Sequence, residues 1–413
     1  VTSQLVLGLG GTVDYEIAWD PAVLEALALE HGIRSGDLDA SIPVDDERSL
    51  VITVLALLRD GRGGERFVSS VPVLERFASR FRYAKTLGGT CVRAALAMAR
   101  LGVGSTVHLV SIDDTVRTLL PPEVSWVSSA KADSTEPHVI VQYPAGAVVR
   151  LPDAQLVAPH PNRLIFVNDL PNRELVIAPE LPRMVAKARV FLASGFNTIQ
   201  DAEILDDRLA TVVEAIRGRS AGAVAVFEDA GSHDVAHGLR VRDAMAAVVD
   251  VYGLNEDELF GYLGGAFDLL DPDAAERALR RATELIPAPT LVVHTKHWAV
   301  AVGRDSGRWR AALEGAVTMA GTRFRVGDGL TRDEYAATRR IARQAAAVVF
   351  ANEIESRFAG GASCVPAYDL NVASPTTIGL GDTFVGGFIA ALATPDERRT
   401  DAGASVLAKG NSR

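Results

Sequence analysis

The segment Gly379-Leu380-Gly381-Asp382 sets two glycines and a carboxylate just before an apolar helical pattern at 384–392. Glycine backbone at a helix start lets N–H groups approach a phosphoryl group, and the helix dipole favours anionic charge there. A carboxylate at the same end can accept the proton of an attacking hydroxyl while those N–H groups stabilise the developing charge. The same Asp also suits a plain N-cap. Asn255 and Glu258, three residues apart at a helix start, project to nearly one face and can hold a hydrated Mg²⁺ against nucleotide phosphates. Their spacing is equally that of a capping box. Glu228 follows a separate strand-like run and adds a second candidate metal ligand. Asp14 follows Gly8-Leu9-Gly10-Gly11-Thr12-Val13 and can take two hydroxyl donors at once, as a sugar edge offers, or can be an ordinary turn residue. Gly88-Gly89 opens a helical pattern and is either a turn or a place where backbone approaches a ligand.

Such residues act together only if elements hold them together. Short apolar runs at 4–8, 105–112, 164–167, 190–194, 223–227, 247–252 and 290–294 read as buried strands. Helical patterns alternate with them at 90–101, 202–217, 234–245, 255–263, 272–284 and 332–350. This alternation predicts an α/β domain with a mostly parallel sheet. Two stretches break the rhythm. Acidic residues and the Arg62-Gly63-Gly64 turn interrupt it over 14–83, and over 136–169 the runs 138–143, 148–151 and 164–167 read as short strands split by Pro and Gly. Together they are expected to form a small β-rich lid, discontinuous over 14–83 and 136–169, on a large domain of 1–13, 84–135 and 170–413. In open α/β sheets the ligand crevice lies beyond the carboxyl ends of the strands, where such an insertion would close over it. The small, polar tail 402–413 is expected to fray.

Composition narrows the function. Over 413 residues, 52 acidic against 42 basic side chains leave a net charge of −10, which repels polyanions and argues against a nucleic-acid binder. Small anions remain possible ligands, because a local ring of N–H groups or a few Arg can bind phosphate. The two cysteines, Cys91 and Cys364, form neither a CxxC motif nor a disulfide framework, and fit a reducing compartment. The first residues lack the basic start of a signal peptide, and no apolar stretch reaches the ~18 residues of a membrane helix. A cytoplasmic protein with no membrane partner is expected.

The glycine-Asp segment, with Pro375-Thr376-Thr377-Ile378 before it and Thr383-Phe384 after it, resembles the catalytic signature of ribokinase-like sugar kinases. Further stretches resemble the ADP-dependent glucokinase and phosphofructokinase branch: Asn255 and Glu258 match its NxxE signature, and Phe227-Glu228 its HxE segment with Phe in place of His. Ala193-Ser-Gly-Phe-Asn197 resembles its strand ending in Ser-Gly-Phe, and Val293-His294-Thr295-Lys296 its strand ending in His-Thr. The Asn often found in the first glycine motif is absent, with Gly10-Gly11-Thr12 standing there.

The resemblance implies a ribokinase-like three-layer α/β/α large domain with a β-rich lid, Mg²⁺, and ADP (or ATP) as phosphoryl donor to glucose or a sugar phosphate such as fructose 6-phosphate. It implies Asp382 as base with Gly379 and Gly381 as anion hole, and Asp14, Gly88, Gly89 and Asn197 on the sugar. Asn255, His294 and Thr295 would lie on the nucleotide, and Glu228 and Glu258 on the metal. A lone His such as His294 at a strand end also has an ordinary structural explanation. Arg150, Arg163 and Arg173 lie in or beside the lid and can grip a sugar phosphate, or can be surface residues. The protein is expected to act on small molecules, as a monomer or homodimer. A dinucleotide-binding alternative fails, because Val13 stands at the third glycine of GxGxxG and the residues after it alternate like a strand. The remaining alternatives are an ATP-dependent sugar or nucleoside kinase and a non-catalytic sugar or nucleotide sensor on the same fold.

Overall fold

The structure, a computed structural model, describes residues 4–393 except 233, 373–375 and 377. Pro375 and Thr377 of the glycine-Asp motif, and the tail 402–413, lie outside the described residues. The large sheet runs in the order Ala362–Pro366, Trp298–Gly303, Thr290–His294, Val251–Asn255, Val224–Glu228, Val190–Ala193, Leu5–Gly8, Ser105–Leu109 and Val124–Ser128. From Thr290–His294 onward every pair is parallel; Trp298–Gly303 pairs antiparallel with both of its neighbours.

Alternating side chains of these strands feed two separate cores. Val6, Phe191 and Ala225 point into one, with Leu205, Leu209 and Val212 of the helix Ala202–Arg217. Leu5, Leu7, Val190 and Leu192 point into the other, under the helices Thr90–Arg100, Arg310–Val326 and Leu380–Ala393. A strand covered on both faces must be apolar at every position, which is why these runs show no polar alternation. The result is the expected three-layer α/β/α arrangement.

A second, five-stranded sheet has the order Gly64–Phe67, Asn162–Val167, His138–Tyr143, Thr12–Ile17 and Tyr83–Gly88. Tyr83–Gly88 pairs along its whole length with Thr12–Ile17, so the small unit extends to Gly88 instead of ending at residue 83. Nor is the stretch 14–83 mainly β. It forms the helices Pro21–Glu30, Glu47–Arg59 and Val71–Ser79, started by the Asp20 cap, the Asp46/Ser49 capping box and, in the third, Pro72 in the first turn. Leu24, Leu50 and Phe77 of these helices cover one face of the small sheet through Val139, Val141 and Phe166. The opposite face, carrying Asp14, His138, Ile140 and Ile165 at every second position, looks into the cleft.

Two further expectations shift. The pattern 332–350 splits into Arg332–Thr338 and Ala345–Arg357, because the intervening backbone pairs instead with 367–369: Gln344 N–H bonds Ala367 O, and Asp369 N–H bonds Ala342 O. The strand expected at 247–252 begins only at Val251, since Val248 and Val249 still bond back to Met245 O at the end of the preceding helix. Among the described residues, no helix is long and apolar enough to cross a membrane.

The helix Leu380–Ala393 is wedged between two others, and glycines permit it. A Cβ on Gly387 would stand 2.5 Å from Gly315 O, and one on Gly386 would stand 2.7 Å from Ala94 O. Both contacts are with backbone, which cannot swing aside. We therefore expect Gly387→Ala to destabilise the protein by about 1–3 kcal/mol in urea unfolding, the cost of overpacking. Gly261→Ala, at a helical position with nothing within 4 Å, should be neutral or stabilising.

Candidate active site

A cleft of about 890 Å³ lies between the strand ends of the large sheet and the open face of the small one. At the small-sheet end Asp14 is buried, only 4% exposed. It accepts hydrogen bonds from Thr12 Oγ1 and Arg93 Nη2, both at 2.7 Å. Gly88 serves it indirectly: a Cβ there would stand 2.3 Å from Asp14 Oδ2, and Gly88 is not among the cleft-lining residues. Gly89 does line the cleft, caps the helix Thr90–Arg100 at φ +86°, and would press a Cβ to 3.2 Å from Gly11 Cα. Asn197, in the loop after Val190–Ala193, lines the cleft nearby.

Beside Asp14 stands a buried histidine that no motif predicted. His138 Nε2 lies 2.9 Å from Asp169 Oδ2, and its Nδ1 lies 4.0 Å from Asp14 Oδ1. Burial alone would lower its pKa, but the hydrogen bond and charge of Asp169, with Asp14 and Glu65 behind them, reverse this and push it up to about 9. Asp169 is fixed in turn by Asn172, whose backbone and side-chain N–H groups both donate to it and whose Nδ2 also reaches Gly11 O.

Asp382 is the third residue of the helix Leu380–Ala393, not its cap. Gly379, at φ +66°, makes the turn into the helix and accepts from the N–H and hydroxyl of Thr383. Among the described residues no hydrogen bond reaches the Asp382 carboxylate, which opens to the cleft 24% exposed, with Arg93 Nε 4.0 Å away.

Toward the other end, Glu228 and His294 terminate neighbouring parts of the large sheet and join at 2.7 Å between Oε1 and Nε2. The imidazole stacks on Phe384 with ring centres 4.4 Å apart, linking the strand ends to the helix of Asp382. Burial raises the Glu228 pKa, as do Asp229 and Asp382, while His294 opposes them. Gly253 leaves the space Glu228 needs, since a Cβ there would stand 2.1 Å from Oε2. Asn255 and Glu258 form the capping box: Asn255 Oδ1 accepts from the N–H groups of Asp257 and Glu258, and Glu258 Oε2 accepts from Asn255 N–H at 2.8 Å. Both residues nonetheless line the cleft, and the Glu258 carboxyl is raised well above its usual pKa by burial and by repulsion from Asp229 and Glu228. Thr295 lines the cleft while its hydroxyl closes a turn, donating to Trp298 O and accepting from the N–H groups of His297 and Trp298.

Of the three arginines near the small unit, Arg163 lines the cleft, Arg150 is mostly exposed beside Glu25, and Arg173 is not a lining residue. Sequence reasoning missed Arg93, His138 and Asp169. Arg93 carried a usable signal, standing one turn after Gly89 on the same helix face. His138 and Asp169 carried none, because their pairing depends on the small-sheet register.

Residues 3–323 match the conserved region of ADP-specific phosphofructokinase/glucokinase. The chain belongs to that family. By that membership it is an ADP-dependent sugar kinase. Among solved structures, the fold is similar to a phosphofructokinase from Pyrococcus horikoshii OT3 with AMP, at TM-score 0.75 and 16% identity over 94% of this chain and 97% of that one. An ADP-dependent kinase in complex with fructose 6-phosphate and ADPβS gives 0.68 and 14% over 96% and 95%. The adenosine kinase of Trypanosoma brucei brucei gives 0.51 and 14% over 97% and 95%. At these identities the likeness concerns the fold. No curated protein sequence matches the chain.

In this kinase the His138–Asp169 pair makes stability depend on pH. The folded pKa of about 9 lies above the ~6.5 of an unpaired histidine, so the contribution is fully present below pH ~6.5 and is lost as pH rises through about 9. Urea unfolding on either side of that window should show wild type losing stability at high pH and His138→Gln losing less. Equal losses in both would show the pair to be neutral.

Proposed function

We propose that Asp382 is the general base of transfer from ADP to an unphosphorylated hexose such as glucose. As the sugar hydroxyl attacks the terminal phosphorus, its proton passes to Asp382 and the new oxygen–phosphorus bond forms. The bond from that phosphorus to the bridging oxygen breaks, AMP leaves, and the proton moves on to solvent. The single observation carrying this reading is Asp382 itself, a carboxylate in the first turn of a helix, beside a glycine turn and open to the cleft. N–H groups around Gly379 and Gly381 serve as the anion hole. Asp14, Gly89 and Asn197 bind the sugar, Gly88 holding Asp14 in place, while Asn255, His294 and Thr295 flank the nucleotide.

The nucleotide end fits Mg²⁺. Glu228 and Glu258 are buried carboxyls whose pKa values are raised partly by neighbouring acids, the chemistry of a donor set short of positive charge. Because Glu258 Oε2 is committed to the Asn255 cap, contact through water suits the pair better than direct ligation. When bound, Mg²⁺ would neutralise charge on the donor phosphates.

The acceptor class rests on charge balance. Arg93 donates to Asp14 and Glu16 through Nη2 and His138 pairs with Asp169, so the charge of each cation is already balanced by the protein's own carboxylates, although Arg93 keeps a donor open. Glu65 and Arg163 add one lining charge of each sign. A sugar phosphate would meet no surplus of positive charge, which supports glucose over fructose 6-phosphate. The small sheet and its helices act as the lid in this reading, shielding the phosphoryl group from water. Two buried, unpaired cysteines support a cytoplasmic setting, and the kinase works on small molecules as a monomer or homodimer.

The test is phosphoryl transfer by the purified protein with Mg²⁺, crossing ADP and ATP against glucose and fructose 6-phosphate. Transfer from ADP, faster to glucose and reduced about 10²–10⁴-fold in Asp382→Asn, is expected. A preference for fructose 6-phosphate would overturn the acceptor assignment, and transfer from ATP alone the donor. Binding without turnover would make the protein a sensor.

A further inference from the structure

Arg93 belongs to none of the motifs, yet the acceptor end of the cleft is assembled around it. It stands on the helix Thr90–Arg100, where its N–H bonds Gly89 O, and its side chain is 10% exposed. Nη2 donates to Asp14 Oδ2 at 2.7 Å and to Glu16 Oε1 at 3.2 Å, and Nε lies 4.0 Å from Asp382 Oδ2. Nη1 has no hydrogen-bond partner among the described residues. It lies against the glycine turn: a Cβ on Gly379 would stand 3.3 Å from Nη1 and 3.1 Å from Cδ. Burial disfavours the charged guanidinium, but Asp14, Asp382 and Glu16 outweigh it and keep the group fully charged. A guanidinium is a rigid fork with donors on two sides, and the side that Asp14 and Glu16 leave free is accessible from the cleft. Here the unused side borders the anion hole.

We propose that Arg93 is a catalytic residue whose Nη1 holds a non-bridging oxygen of the phosphoryl group in transfer while Nη2 keeps Asp14 on the acceptor. The charge of a loose phosphoryl-transfer transition state is spread over the equatorial oxygens, and a fixed guanidinium reaching them from the acceptor side strengthens as that charge develops. The inference rests on the reading of Gly379 and Asp382 given above.

The experiment compares wild type, Arg93→Met and Arg93→Lys in steady-state ADP-dependent transfer. Calorimetry follows glucose alone, ADP alone, and aluminium fluoride with AMP, Mg²⁺ and glucose as a transition-state mimic. Arg93→Met should lose about 10²–10³-fold in kcat. Arg93→Lys, keeping charge on Asp14 without the fork, should hold glucose affinity within about tenfold yet lose kcat and aluminium fluoride binding together. A circular dichroism spectrum and a urea unfolding midpoint like those of wild type mark an intact fold; should Arg93→Met fail that criterion, Arg93→Lys alone decides. Variants keeping kcat within about threefold of wild type, or losing glucose affinity as much as kcat while aluminium fluoride binding persists, overturn the proposal. Absence of ADP-dependent transfer in wild type removes the underlying reading and this inference together, whereas normal wild-type transfer with active variants removes only the inference.

Discussion

The constraint on which this molecule turns is the convergence of many carboxylates on one cleft. A buried carboxylate costs several kcal/mol unless something compensates it, and here the compensation takes a different form for each. Arg93 spans Asp14 and Glu16, His138 takes Asp169, His294 takes Glu228, and Glu258 is caught by the backbone of its own helix start. Each partner comes from a different element than the acid it holds, apart from the Glu258 cap. The site is thus a set of ties between elements, and the fold must deliver both ends of every tie.

It does so by ending things in the same place. Glu228, Asn255 and His294 are the last residues of three parallel, adjacent strands, so register alone brings them to one edge. Leu5–Gly8 ends at that edge too, and within a few residues the chain enters Thr12–Ile17 of the small sheet, which fixes Asp14 relative to the strand ends. The helix of Asp382 is located by close packing: Gly386 and Gly387 let two helices approach to backbone distance on either side, leaving little freedom for the residues at its start.

What was legible in the sequence follows from this arrangement. Strand ends announce themselves, since an apolar run stops at a polar residue; Glu228 and His294 were readable on that ground, as was Asp382 at the start of an apolar helix. Asn255 and Glu258 were readable twice over, and the capping hydrogen bonds are what the structure displays. The helices within 14–83 were obscured because their caps, Asp20 and Asp46, look the same in sequence as loop acids. The pattern 332–350 misled because a tertiary pairing with 367–369 outcompetes helix continuation. Gly88 looked like a ligand contact, but its smallness is required by Asp14. His138 and Asp169 were illegible, because only the folded register brings His138 between Asp169 and Asp14.

The two ends of the cleft differ in how completely the protein neutralises itself. At the small-sheet end Arg93 and His138 satisfy their acids internally, leaving a surface whose remaining work is hydrogen bonding, the means by which an uncharged polyhydroxyl compound is held. At the strand-end side of the cleft His294 answers only part of the negative charge of Glu228, Asp229 and Glu258, and burial together with the neighbouring acids pushes the Glu228 and Glu258 carboxyls up in pKa. A polyphosphate entering alone would deepen that imbalance, whereas one accompanied by a divalent cation relieves it. In the proposed mechanism the same fold presents a self-contained half for the acceptor and an incomplete half for the donor. Asp382 and Arg93 stand where the two halves meet, which in that mechanism is where charge moves during transfer.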